Sequence, residues 1–233
     1  MKRVAIVQSS YIPWKGYFDL IRGVDEFIFY DDAQLTKRDW RNRNVIKTPQ
    51  GPQWLTIPIR SKGLYLQKIS ECTVSSASWG QSHWKAIQAN YARAPYFERY
   101  AEDIQKIYKA TENEPFLSRI NLLFTRMICS ILGVTTALRF SSDYPSAGVG
   151  KTEKLVRLCR LANATSYLSG PAAKFYLDEN QFREFGIELR YADYEGYVPY
   201  RQLFGPFIHE VSILDLLFNE GPNAERFMKV FHS

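Results

Sequence analysis

Val4-Ala5-Ile6-Val7 is a short apolar run, mostly β-branched, that stops abruptly at Gln8-Ser9-Ser10. An unbroken run of this kind reads as a strand buried on both faces, the habit of parallel sheets covered by helices. Glu26-Phe27-Ile28-Phe29-Tyr30 repeats the pattern and stops at Asp31-Asp32. Between them, Trp14 to Arg22 predicts a helix with Pro13 near its first turn. The first part of the chain therefore predicts a β-α-β unit.

The same alternation returns late in the chain. Thr136 to Phe140, Ser166 to Leu168 and Ile187 to Tyr191 read as strands. Lys151 to Ala162 and a stretch within Phe175–Phe185 read as helices. Ser212 to Phe218 predicts a further helix with Ser212 as N-cap, and Asn223 to Phe231 a terminal one. Alternation at both ends predicts an α/β fold with a mostly parallel, Rossmann-like sheet. Two excursions interrupt it. Gln53 to Ile59 and, more weakly, Leu66 to Val74 predict strands of an antiparallel insertion over 34–78. Residues 80–132 predict a helical middle region, divided by Pro95 and Pro115 into three helices, with Gly133 closing the last. The whole of 1–233 is expected to form one α/β domain.

Each predicted parallel strand runs directly into small or polar residues: Gln8-Ser9-Ser10, Asp31-Asp32, Ser141-Ser142-Asp143, Ser169-Gly170 and Ala192-Asp193. Ligands of open α/β sheets bind at the carboxyl ends of strands, so these ends are a candidate site floor. Strand ends are also polar simply because they meet water.

Composition narrows the class. Hydrophobic residues make up 45% and aromatics 15% of the 233 residues, which excludes a disordered chain. No apolar run reaches the roughly 18 residues of a membrane span, and the N-terminus does not read as a signal peptide. Three widely spaced cysteines, Cys72, Cys129 and Cys159, fit reduced thiols and a cytoplasmic location. The net charge is +6, and most of it sits in one stretch, where Lys37, Arg38, Arg41, Arg43 and Lys47 face only Asp39. A local patch suits one anionic ligand better than a long nucleic-acid track.

Several constellations could carry chemistry. Gln8, Tyr11, Pro13, Trp14, Gly16 and Tyr17 lie where a strand end runs into a helix start. Free N–H groups there suit phosphate, and Gly16 permits close approach of a backbone or ligand. The aromatic residues would equally staple the helix to the sheet. Tyr30, Asp31, Asp32 and Gln34 form the second group. Paired carboxylates at a strand end can act as base, hold sugar hydroxyls or bind metal. Arg38, Arg41 and Arg43 fit phosphate bidentately, and Trp40, with Asn42 nearby, can stack on a ring. These acids and bases also fit a surface ion-pair network. Pro145 to Thr152 resembles a Walker A loop but lacks its first glycine, which leaves a weaker anion site at Lys151. Ser169-Gly170 ends another strand. His83, His209 and His232 are too scattered for a zinc site, no metal-ligating motif is present, and the cysteines sit in apolar patterns that do not favour a nucleophile.

Taken in order, Gln8, Tyr11-x-Pro13-Trp14-x-Gly16-Tyr17-Phe18, Tyr30-Asp31-Asp32-x-Gln34, Trp40-x-Asn42-Arg43, Trp54-Leu55-Thr56-x-Pro58, Tyr167-Leu168-Ser169-Gly170 and Ser212-Ile213-Leu214-Asp215 resemble the WbqC-like family over almost the whole chain. That family usually opens with a His-Gln-Pro run, where this chain has Val7-Gln8-Ser9, so any role of that histidine is absent or displaced. Members are associated with O-antigen and other surface-polysaccharide gene clusters. The resemblance implies work on nucleotide-activated sugars or their carriers, as a group transferase. The β-α-β start also looks somewhat like HIGH-type nucleotidyltransferases, but Trp14 and Tyr17 stand where those carry histidines.

Three functions follow as expectations. In the first, a transferase, Gln8 and the 13–17 turn hold nucleotide or phosphate. Asp31 or Asp32 serves as base or hydroxyl acceptor, and Arg38, Arg41 and Arg43 neutralise phosphate. The second is a nucleotidyltransferase or ATP-dependent ligase, in which magnesium would accompany the nucleotide. The third is a polyanion-binding module, which the Asp31-Asp32 pair disfavours by repulsion. The expected partner is a small phosphorylated or nucleotide-linked molecule, with a carrier protein as an alternative; nucleic acid is not favoured. No resident cofactor is assigned.

Overall fold

The structure, a computed structural model, describes residues 1–145 and 150–231. Its main sheet has five parallel strands: β1 (Arg3–Val7), β2 (Glu26–Phe29), β5 (Ala137–Phe140), β6 (Ser166–Ser169) and β7 (Glu188–Tyr191). They lie side by side in the order β5-β2-β1-β6-β7. The chain thus starts at the sheet centre, builds outward on one side, then crosses back and builds outward on the other. The order reverses between β1 and β6, which makes their carboxyl ends the switch point where such sheets bind ligands.

Side-chain alternation assigns the two faces. Val4, Ile6 and Ile28 pack with Leu155, Val156 and Leu158 of α5 (Lys151–Leu161) and Phe182 of α6 (Glu179–Arg183). Ala5, Phe27 and Phe29 point the other way. They pack with α1 (Lys15–Arg22) and the helical middle region: α2 (Trp79–Tyr91), α3 (Phe97–Ala110) and α4 (Leu117–Ile131). The final helix, α7 (Ile213–Glu220), joins this face. The α/β class is as expected, and so are the three middle helices. Gly133 ends α4 at φ +66°, with Val134 N–H on Cys129 O and Gly133 N–H on Ser130 O, a Schellman closure. Ser212 caps α7 through Leu214 N–H.

The insertion differs in detail. Its hairpin is β3 (Arg43–Thr48) against β4 (Gly51–Thr56), in register from Arg43↔Thr56 to Thr48↔Gly51. The first strand lies in the polar stretch that the sequence reads as irregular, because its buried Asn44, Lys47 and Thr48 find partners inside. Residues 66–74 form no continuous strand. A 3₁₀ turn at Ile69–Glu71, where the Glu71 carboxylate accepts Lys68 N–H at 2.9 Å, sits between isolated bridges. At the C-terminus, Gly221 at φ +54° and Pro222 replace the expected helix with a 3₁₀ stretch, Gly221–Phe227.

Candidate functional site

The strand ends meet at one edge of the sheet. Asp31, just beyond β2, is 1% exposed and turns back under β1, where its Oδ1 accepts Ser9 N–H at 2.8 Å. Burial raises its pKa, while the hydrogen bonds from Ser9 and the charge of Arg41 pull it down. Arg41 reaches in from the insertion and donates to Gln8 O at 2.9 Å and Ser9 O at 3.0 Å. Tyr17 OH donates to Gln8 O at 3.0 Å. Asn121 of α4 donates to Ser9 Oγ at 3.0 Å and to Arg41 O at 2.9 Å. The turn after β1 is therefore bound from four other places, the end of β2, the insertion, α1 and α4, before any ligand arrives.

Tyr11 anchors the next step. Its hydroxyl lies 2.9 Å from His83 Nδ1 and meets Tyr108 OH. His83 Nε2 faces Thr56 O at 3.2 Å, so that nitrogen carries the proton and Nδ1 accepts from Tyr11. Burial pushes His83 down to about 4, so the ring is neutral and acts as a strut. Ile12 then adopts φ +34°, a costly conformation for a β-branched residue. The bonds from Trp40 O to Tyr11 N–H and from Pro13 O to Ile213 N–H hold this strained turn.

Gly16 has a different use from the expected one. Its missing side chain makes room for the indole of Trp14, with which a methyl group would collide. The Trp14 ring thus lies directly against Gly16 in the first turn of α1.

Two cavities open near these strand ends, one reached by Ser10 of the turn and the other by Asp32 beyond β2. The first, about 290 Å³, is lined by Ser10, Pro13, Trp14, Tyr17, Trp40 and Arg41, with Asn44 and Glu210 closing it. The second, about 360 Å³, lies beyond β2 and β5 and is lined by Tyr30, Asp32, Lys68, Ser141, Ser142 and Tyr144, with Lys154 and Leu158 of α5. Asp32 Oδ2 accepts Ser141 Oγ–H at 2.6 Å, and Lys68 Nζ lies 3.7 Å from Oδ1.

The other predicted residues divide. Gln34 donates to Tyr65 O at 2.8 Å and Asn42 to Ile57 O at 2.8 Å. Arg43 donates to Arg38 O and stacks over Trp54 at 4.1 Å, and Trp54 in turn lies 5.1 Å from Trp40. The basic stretch is therefore not a field of free cations: Arg41 and Arg43 spend bonds on backbone, and Lys47 is buried against Gln202 and Pro206 O. Ser169 is buried at the end of β6, donating to Tyr167 OH at 3.3 Å, and Gly170 starts a 3₁₀ turn. Lys151 lines a separate hollow with Thr152 and Gln181. Residues 146–149 of the Walker-like loop, and His232, lie outside the described residues. Lys68, Tyr144, Lys154 and Glu210 carry no sequence signal; Ser141-Ser142 was visible as a polar strand end.

Behind the first cavity, α1 carries a buried charge. Lys15 is 3% exposed and its Nζ makes no hydrogen bond. It lies 4.5 Å from the ring centre of Tyr197 and 5.3 Å from that of Tyr200. Burial lowers it to about 8. Asp19, one turn on, accepts from Tyr197 OH and is raised by burial to about 6. Among the described residues, no three His, Cys, Asp or Glu side chains come together as a metal ion would require. Also among them, no helix is long and apolar enough to cross a membrane.

The model of the WbqC-like protein family matches residues 8–227. A Mycobacterium tuberculosis (strain ATCC 25618 / H37Rv) protein, "Uncharacterized protein Rv1507c", is 52% identical over 229 residues, 98% of each chain. No solved structure matches.

Proposed function

The chain belongs to the WbqC-like protein family, and we propose that it transfers a group from a nucleotide-linked sugar or similarly activated donor to an acceptor. The observation that carries this reading is a pair of cavities at the carboxyl ends of the strands, one lined from Ser10 of the braced Gln8–Tyr11 turn and the other beyond β2 and β5. A donor has two chemically different ends, and two differently lined cavities suit it. The walls differ: the first holds two indoles, Tyr17, Arg41 and Glu210, the second two lysines, two serines and Asp32 with Tyr30 and Tyr144.

Within this reading the two aspartates divide the work. Asp31 is a positioning residue, since its carboxylate is buried on Ser9 N–H. Asp32 is the accessible carboxylate, able to accept a hydroxyl proton or hold a sugar hydroxyl. Arg41 braces the turn in advance through two carbonyls, with Asp39 3.7 Å from its guanidinium.

The test is a thermal-shift panel of UDP-, GDP- and dTDP-sugars, ATP, CTP and coenzyme A, each with and without magnesium. A ligand at about 100 times its Kd adds about 2.7 kcal/mol. The expected result is a shift with one nucleotide-sugar, with nucleoside diphosphate released on adding the acceptor, and loss of turnover in Asp32→Asn. A shift with ATP or CTP alone, with pyrophosphate release, would replace this reading by nucleotidyl transfer. No shift with any compound would overturn both.

A further inference from the structure

Resting on the transferase reading, we infer that the nucleoside end of the donor is a ribonucleotide held in the cavity beyond β2 and β5, with its phosphate charge met by Lys68 and Lys154 rather than by the start of α1.

The side chains of that cavity select the ligand class. Asp32 lines the cavity with one oxygen committed to Ser141 at 2.6 Å. The contact of its other oxygen with Lys68, at 3.7 Å, is too long for a good hydrogen bond. A carboxylate fixed in this way accepts from vicinal hydroxyls. Lys68 and Lys154 both line the cavity and outnumber it. A bare phosphate would meet an opposing carboxylate here, and a neutral sugar would leave two lysines idle. A ribose carrying phosphate satisfies both.

The topology independently points to the same place. In sheets of this order, an acid at the end of the second strand, about 20 residues beyond the first strand–helix turn, holds the ribose. Asp32 occupies that position. Such sheets normally set the pyrophosphate on the N-terminus of the first helix, across a glycine-rich turn. Here the space beside Gly16 is taken by the Trp14 indole and no glycine-rich turn precedes the helix. The compensating cations come from outside the motif: Lys68 from the insertion and Lys154 from α5. Leu158, one turn after Lys154 on the same helix face, gives this wall an apolar base. Tyr144, its hydroxyl bound to Glu26, presents a fixed ring.

The experiment is calorimetric titration with UDP, GDP, CDP and ADP and their 2′-deoxy counterparts. One ribonucleotide is expected to bind at least 10-fold more tightly than its deoxy form. Asp32→Asn should abolish that discrimination. Lys154→Met, on a half-exposed helix position that tolerates change, should weaken the diphosphate about 10-fold while leaving the free nucleoside unaffected. Equal binding of ribo and deoxy forms to the wild type would overturn the ribose assignment. Wild-type affinities in both variants, with loss in Trp40→Ala, would place the nucleoside in the other cavity and leave the transferase reading standing. No binding of any nucleotide would sink both.

Discussion

Lys15→Met should make the protein more stable. Lys15 is 3% exposed, has no hydrogen-bond partner, and lies against the rings of Tyr197, Tyr200 and Phe207 at 4.5, 5.3 and 6.0 Å. Burial is the larger cause of its fall from 10.5 to about 8, with Asp19 opposing it. At about 1.4 kcal/mol per pH unit, keeping the ammonium charged inside costs about 3 kcal/mol at pH 7. The rings return about 1–2 kcal/mol as cation–π attraction. Methionine has similar length, needs no partner and packs well on aromatic rings. The variant should therefore gain about 1–2 kcal/mol at pH 7, or about 2–6 °C for a chain of this size.

The sign with pH is fixed by linkage. The folded-state pKa lies below the unfolded one, so between pH 8 and 10.5 the unfolded chain holds more protons and wild-type stability rises with pH. The variant's advantage is full below pH 8 and fades across that window. Asp19, near 6, and His209, lowered from 6.5, titrate below it. Urea unfolding at pH 7, 8.5 and 10 reads the difference directly. A variant less stable than wild type at pH 7, or a gain that does not change with pH, would refute the reasoning.

Asp215 accepts Tyr91 OH at 2.8 Å, Tyr200 OH at 2.7 Å and Gln202 Nε2 at 2.9 Å while fully buried. Asp215→Ala strands the two tyrosine hydroxyls, while Gln202 keeps Ile208 O, and should cost about 3–5 kcal/mol in urea unfolding. Gly16→Ala gains about 1 kcal/mol of helix propensity but drives the Trp14 indole towards the first cavity, so melting should change little while donor binding, followed by calorimetry, falls at least 10-fold. Burial raises the thiols of Cys72 to about 11 and of Cys129 and Cys159 to about 12. A disulfide reagent at pH 7.5 should leave all three unmodified until denaturant is added.

Much of the architecture could be read from residue order. Val4–Val7 and Glu26–Tyr30 declare strands because both faces of a parallel sheet demand apolar side chains. Pro95 and Pro115 mark the helical breaks because proline cannot continue a helix. What escaped the reading was buried polarity. Arg43–Thr48 looks like a solvated loop until Asn44 is found bonded to Tyr11 O and Lys47 to Gln202. The site behaved similarly. Asp32 and the Gln8–Tyr17 turn were visible as polar strand ends. Lys68 and Lys154 were not, because they come from distant segments and become neighbours only in the folded chain. The same holds for the basic stretch: charge is countable in the sequence, but whether an arginine is free, or spent on a carbonyl as Arg41 is, depends on partners the sequence does not name.

The most direct test of the account is an amide-resolved NMR titration of the ¹⁵N-labelled protein with UDP-, GDP- and dTDP-linked sugars. One donor should perturb Gln8 to Tyr11, Asp32, Ser141-Ser142 and Trp40 together, placing a single molecule across both cavities at the carboxyl edge of the sheet. Perturbations confined to other surfaces, or none with any donor, would contradict it.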